Sequence, residues 1–179
     1  MTEQIFRDIC VLTERVVPHK KQQIHQISFF VTHIPSVLNF GVEIVWRKNK
    51  KILISDPHKT ILDMLYNPQL GGGMQHVIDC FIAYCQSNHH QPEQLASYAE
   101  RFQSGAVFKR LGFLAEKFLG ESHLLTRLCK AKITQGFIYL DPSLKTGKII
   151  NKWRLIVPPN LQIKEGNDFK TRDIKNRNR

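Results

Sequence analysis

The sequence predicts an α+β fold: a small, mostly antiparallel sheet packed with a helical segment of about five helices. Three observations predict it. Before Ser55 the apolar residues alternate with polar ones at the period of two that strands require. From Pro57 to Lys132 they recur three and four positions apart, the spacing of a helix face. Extended runs then return at Phe137–Leu140 and Trp153–Val157, which read as a C-terminal hairpin completing the sheet begun by the N-terminal third.

Taken in order, Asp8 to Val17 reads as a strand in which Ile9, Val11 and Thr13 alternate with Cys10, Leu12 and Glu14. Pro18 to Gln23 reads as a polar turn, and Ile24 to Ile34 as a second strand. Ile27, Phe29 and Val31 share one side of it, and Phe30 on the other side implies that this face is partly covered too. Pro35 interrupts, Phe40-Gly41 bends the chain, and Val42–Trp46 with Lys51–Ile54 form a hairpin around Arg47-Lys48-Asn49-Lys50, a polar turn with three positive charges.

Ser55 to Gly73 is the hinge between the two kinds of structure. Asp56 is placed to accept a hydrogen bond from the free N–H groups of a helix start, and Pro57 suits the first helical position, where no donor is needed. Ile61, Leu62 and Leu65 give the apolar face, and Pro68 ends the helix. Gly71, Gly72 and Gly73 read as a tight helix–helix corner. A phosphate loop would follow a strand and end in Gly-Lys-Ser/Thr, whereas this triplet follows a helix and leads into Met74-Gln75-His76.

The next helix carries Met74, Val77, Ile78, Phe81 and Cys85; Pro92 starts another with Leu95, Tyr98, Ala99 and Phe102. After Gly105, the residues Val107, Leu111, Leu114 and Phe118 make a buried stripe, with Gly112 permitting close packing. Glu121 to Lys132 is the last helix, with Leu124, Leu125 and Leu128 inward. Residues 1–163 are expected to form the domain, and 164–179 a basic, disordered tail with too few apolar side chains to order itself.

Composition narrows the function classes. Of 179 residues, 42% are hydrophobic, which suffices for a core, and no apolar run reaches the ~18 residues a membrane span needs. The first residues are neither basic nor apolar enough for a signal peptide, so the expected location is cytoplasmic, with no membrane partner. A formal charge of +11 argues for a polyanionic or acidic partner. The tail, with six basic and three acidic residues, supplies only part of that excess.

Four cysteines, Cys10, Cys80, Cys85 and Cys129, lack any CxxC spacing, and the last three fall in apolar helical patterns, so they read as reduced core residues. His76 and Cys80 would share a helix face, and His89 and His90 follow Cys85, but paired zinc-ligand spacing is missing; no metal and no cofactor is expected. Nor does a catalytic constellation emerge: Asp56 and Asp63 read as a helix cap and a carboxylate bonded to nearby backbone. The better lead is basic. Lys20 and Lys21, then Arg47, Lys48, Lys50 and Lys51, then Lys109 and Arg110, and finally Arg127, Lys130 and Lys132 are placed at element ends or solvent faces, where they could meet phosphates or an acidic partner. Aromatic residues do not interleave with them as in a single-strand stacking platform.

Several phrases, in order, resemble the C-terminal domain of the AbiEi family of type IV antitoxins. They are Thr2-Glu3-Gln4-Ile5-Phe6, Phe40-Gly41-Val42, Ile54 to Asp63 (through Ser55-Asp56-Pro57), Gly71-Gly72-Gly73, Ala106 to Leu114, Leu140-Asp141-Pro142 and Trp153-Arg154-Leu155. The resemblance implies a non-catalytic domain of a bacterial abortive-infection system that counters a nucleotidyltransferase-like AbiEii toxin. That family usually carries an N-terminal winged helix-turn-helix that binds operator DNA. This chain opens at the first phrase of the C-terminal domain, so sequence-specific reading is not expected of it. Sequence-indifferent nucleic-acid binding is the other reading.

Overall fold

The structure, a computed structural model, describes residues 8–18 and 20–163. The expected disordered tail and the phrase Thr2–Phe6 lie outside the described residues. The fold is α+β, and it divides into two compact units between Thr60 and Ile61.

Among the described residues, the first unit holds two sheets. β1 (Asp8–Thr13), β2 (Lys21–Ile24) and β3 (Ile27–His33) form one, in the order β1-β3-β2. β1 runs parallel to β3, and β2 antiparallel to it. This corrects the expected turn at Pro18–Gln23, because Lys21, Gln22 and Gln23 are strand. They carry no apolar alternation, and pairing along the edge of β3 makes them extended; a lysine on such an edge also discourages further pairing. The turn lies instead at His25-Gln26, both with positive φ (47° and 65°), a conformation two-residue hairpins need and usually fill with Asn or Gly. Pro35 leads into a short 3₁₀ turn (Ser36–Leu38), and Ile34, Leu38 and Phe40 are buried.

β4 (Val42–Arg47) and β5 (Lys50–Ser55) form the second, two-stranded sheet, its tip at Lys48-Asn49 with Lys48 at φ 53°. The Asp56 N–H donates to Gly41 O at 2.8 Å and closes its base. Helix α1 (Pro57–Tyr66) follows.

The second unit is built around helices α2 (Met74–Gln86), α3 (Pro92–Phe102), α4 (Gly105–Leu119) and α5 (Leu124–Ala131). Their starts follow the sequence reading, except that α5 begins at Leu124 rather than Glu121, because His123 caps it. Helix α4 differs in a more consequential way. Every residue from Val107 to Ala115 is buried, so this is a helix covered on all sides, not one with a single apolar stripe. Gly112 makes that possible: a Cβ there would overlap the Trp153 ring and stand 2.7 Å from Cys129 Cβ.

The C-terminal strands form a sheet of their own, β6 (Ile138–Tyr139), β7 (Lys148–Ile150) and β8 (Leu155–Val157), in the order β6-β8-β7. The expected hairpin between the first and last of these is replaced by a parallel pairing, and the antiparallel partner of β8 is β7. Trp153 sits in a 3₁₀ turn (Asn151–Trp153), not in the strand, so its indole enters the interior beside α4. Among the described residues no helix is long and apolar enough to cross a membrane.

Candidate binding surface

The phrase from Ser55 to Asp63 is architectural. Asp56 Oδ1 accepts the Lys59 N–H at 2.8 Å, and the Asp56 carbonyl accepts that of Thr60 at 2.9 Å, so Asp56 caps α1 and Pro57 takes its first position. His58 Nδ1 stands 3.6 Å from the same carboxylate oxygen. Lys59, which the sequence reading did not single out, is buried with its ammonium 5.4 Å from the centroid of Phe40, in reach of a cation–π contact. The Asp63 carbonyl accepts from Asn67 N–H at 2.9 Å inside the helix.

The glycines turn the chain as expected. Gly72 and Gly73 have φ of 78° and 97°, and the Gly73 N–H donates to Pro68 O at 2.8 Å. Gly71 is hemmed in, since a Cβ there would lie 2.9 Å from both Met64 Cε and Val77 Cγ2. A shallow hollow of about 450 Å³ opens beside Gly72, Gly73 and Gln75, but Asp141 lines it too, and a carboxylate repels phosphate. Asp141 Oδ1 itself accepts from the Ser143 N–H (2.9 Å) and Oγ–H (2.6 Å), fixing the turn after Leu140.

Lys109 and Arg110 are the clearest correction. They were expected on a solvent face, and both are buried, with 1% and 4% exposure. The Lys109 ammonium donates to Gly136 O at 2.8 Å and Gln135 O at 3.3 Å. Burial, and then the nearby Arg154, push its pKa below the ordinary lysine value. Arg110 spreads its guanidinium over four carbonyls: Leu65 (2.8 Å) and Tyr66 (3.4 Å) at the C-terminus of α1, Leu140 (3.0 Å), and Tyr139 (3.0 Å) in β6. Burial pushes its pKa down to about 10, with Asp141 opposing, so it stays charged at neutral pH. The cation satisfies the orphan carbonyls at a helix end and ties them to a sheet. Neither residue is available to a phosphate.

A second internal tie escaped the sequence reading. Trp153 Nε1 and Lys152 Nζ both donate to the Glu116 carboxylate, and Lys152 reaches Glu121 at 2.7 Å as well. These bonds raise the Lys152 pKa and lower that of Glu121. The spacing of more than thirty residues between partners gives no local signal.

The remaining basic residues are exposed. Lys20 precedes β2 and Lys21 opens it, within 3.8 Å of Asp8; Arg127 and Lys130 are on α5, and Lys132 follows it, 3.4 Å from Glu100. The densest group is at the β4–β5 tip. Arg47 and Lys50 face each other across the strands, Lys48 occupies the turn, and Lys51 pairs with Trp46. Trp46 is 64% exposed, so an aromatic ring does stand beside these cations. Arg47 and Lys50 project from the opposite face of the hairpin, and Trp46, across from Lys51, is a single ring rather than an interleaved series of aromatics and cations. The Trp46 face carries Val42, Ile44 and Leu53, all exposed.

Cys129 is buried as a core residue, whereas Cys80 and Cys85 are only half-buried and Cys10 is exposed. Burial pushes the Cys85 and Cys129 thiols up to about 12; partial desolvation, with Asp79 and Asp8 adding to it, raises those of Cys80 and Cys10. Cys80 Sγ lies 3.1 Å from His76 Nε2, as their spacing predicts. Among the described residues no three His, Cys, Asp or Glu side chains converge as a metal site would require.

No protein-family model, no curated protein and no solved structure matches this chain.

Proposed function

We propose that this chain is a non-catalytic antitoxin-type domain of a bacterial type IV toxin–antitoxin system, acting in the cytoplasm against a nucleotidyltransferase-like toxin and contributing to transcriptional regulation. The observation that carries the reading is the coincidence of the AbiEi-like phrases with the fixed points of the fold. Asp56 caps α1, the glycines make the corner before α2, Arg110 in the Ala106–Leu114 phrase binds helix-end and strand carbonyls, and Trp153 packs on Gly112. A resemblance concentrated at such positions is one of scaffold. It leaves the exposed surface, with its cations, to make the contacts. The test is growth: cells arrested by an AbiEii-type toxin should recover when this chain is co-produced.

Sequence-indifferent nucleic-acid binding is the second reading, favoured by exposed Arg127 and Lys130 on α5 and by the four cations at the hairpin tip. Phosphate contacts position a protein without specifying bases, so affinity should be weak, about 10⁻⁴–10⁻⁶ M at physiological salt. It should also be equal for an operator duplex and a scrambled duplex of the same length. Tight binding that prefers the operator and survives raised salt would contradict this.

A further inference from the structure

We infer that one face of the β4–β5 hairpin is a docking surface for a partner protein that presents an apolar groove with an acidic rim. The inference does not rest on the antitoxin reading. Cross-strand pairing puts Val42 opposite Ser55, Ile44 opposite Leu53 and Trp46 opposite Lys51, so Val42, Ile44, Leu53 and Trp46 line a single face. All four are exposed: Val42 45%, Ile44 51%, Leu53 61% and Trp46 64%. A two-stranded sheet is marginally stable by itself, and a contiguous apolar strip on its surface marks an interaction site.

Charge decides the occupant. From Val42 to Ser55 the only acidic residue is Glu43, against Arg47, Lys48, Lys50 and Lys51 at the tip. A second copy would bring the same cationic tip and the same +11 chain to the interface, which like-charge repulsion disfavours. A nucleic acid could use the tip and stack on Trp46, but it would leave Ile44, Leu53 and Val42 in water, where they are now. A protein groove with apolar walls and carboxylates at its mouth satisfies both ends of the strip. Tryptophan and arginine are the side chains most enriched where interfaces bind tightly.

The two tryptophans make the test direct. Trp46 is exposed and Trp153 fully buried, so acrylamide-quenchable emission reports Trp46, while unquenched emission reports that the fold is intact. The full chain is titrated with a peptide bearing a Leu/Phe stripe flanked by Glu, with its Gln-flanked analogue, and with single-stranded and duplex oligonucleotides. The acidic amphipathic peptide should shift Trp46 emission to the blue and protect it from quenching. Its Gln analogue should bind more weakly at low salt. Leu53→Glu should lower the peptide affinity about tenfold or more, while Leu144→Glu, at an exposed site elsewhere, should not. Stronger protection by either oligonucleotide would overturn the inference in favour of a nucleic-acid surface. Concentration-dependent protection without any ligand, accompanied by dimers in sedimentation, would overturn it in favour of self-association. Failure of every probe to protect Trp46 would also overturn it.

Discussion

Replacing Arg110 by alanine removes the donors shared by the carbonyls of Leu65, Tyr66, Tyr139 and Leu140, and leaves those oxygens facing a cavity. Hydrogen bonds to charged groups contribute about 1.5–3 kcal/mol and buried orphan acceptors are costly, so Arg110→Ala should lose about 3 kcal/mol in urea unfolding. Lysine should rescue little of this, since one ammonium cannot reproduce the planar fork that spans a helix end and a strand. Oligonucleotide affinity, by contrast, should not follow the loss of charge at this position, because the guanidinium is buried and already bonded to four carbonyls. Asp56→Ala removes the acceptor for the Lys59 N–H and should cost about 0.5–2 kcal/mol by the same measurement. Asp56 was legible in the sequence because a cap is a local affair, settled by the proline after it. Arg110 was not. A cation in an amphipathic pattern is assigned to solvent by default, and only the packing on the far side of α4 decides otherwise.

At the scale of elements, α5 depends on a titratable cap. His123 Nδ1 accepts the Leu125 N–H at 3.3 Å, which requires an unprotonated Nδ1. Burial first, and then the stacked His90 ring at 6.3 Å, lower its pKa from the ordinary value, while Glu93 opposes them. The folded state therefore holds the proton less tightly than the unfolded chain. Stability from this group is full above the unfolded value of about 6.5 and falls as pH drops from there through the lower folded value. His123→Asn keeps a capping side chain without a titration, so unfolding midpoints should depend less on pH across this window than in the unsubstituted chain. Helices were legible because their signals repeat: proline starts, glycine ends, and apolar side chains at three and four. The short strands were not. β2 and β7 owe their form to pairing with β3 and β8, and the His25-Gln26 turn uses residues that give no turn signal.

Over the whole molecule, the sequence made the α+β class legible, but not the separation of the described strands into three sheets, which depends on pairings that no local pattern encodes. It also made the basic excess legible without its distribution. Lys109 and Arg110 are interior, while Arg47, Lys48, Lys50 and Lys51 crowd one hairpin tip beside an exposed tryptophan. We propose a scaffold whose AbiEi-like phrases fall at its fixed points and whose contacts are made from its surface. The measurement closest to that claim is colony formation after induction of an AbiEii-type toxin, with and without this chain, and with the chain's level verified in the same cells. The account predicts that colony counts return to those of uninduced cells when the chain is present. Growth arrest that persists in cells containing the folded, abundant chain would contradict it.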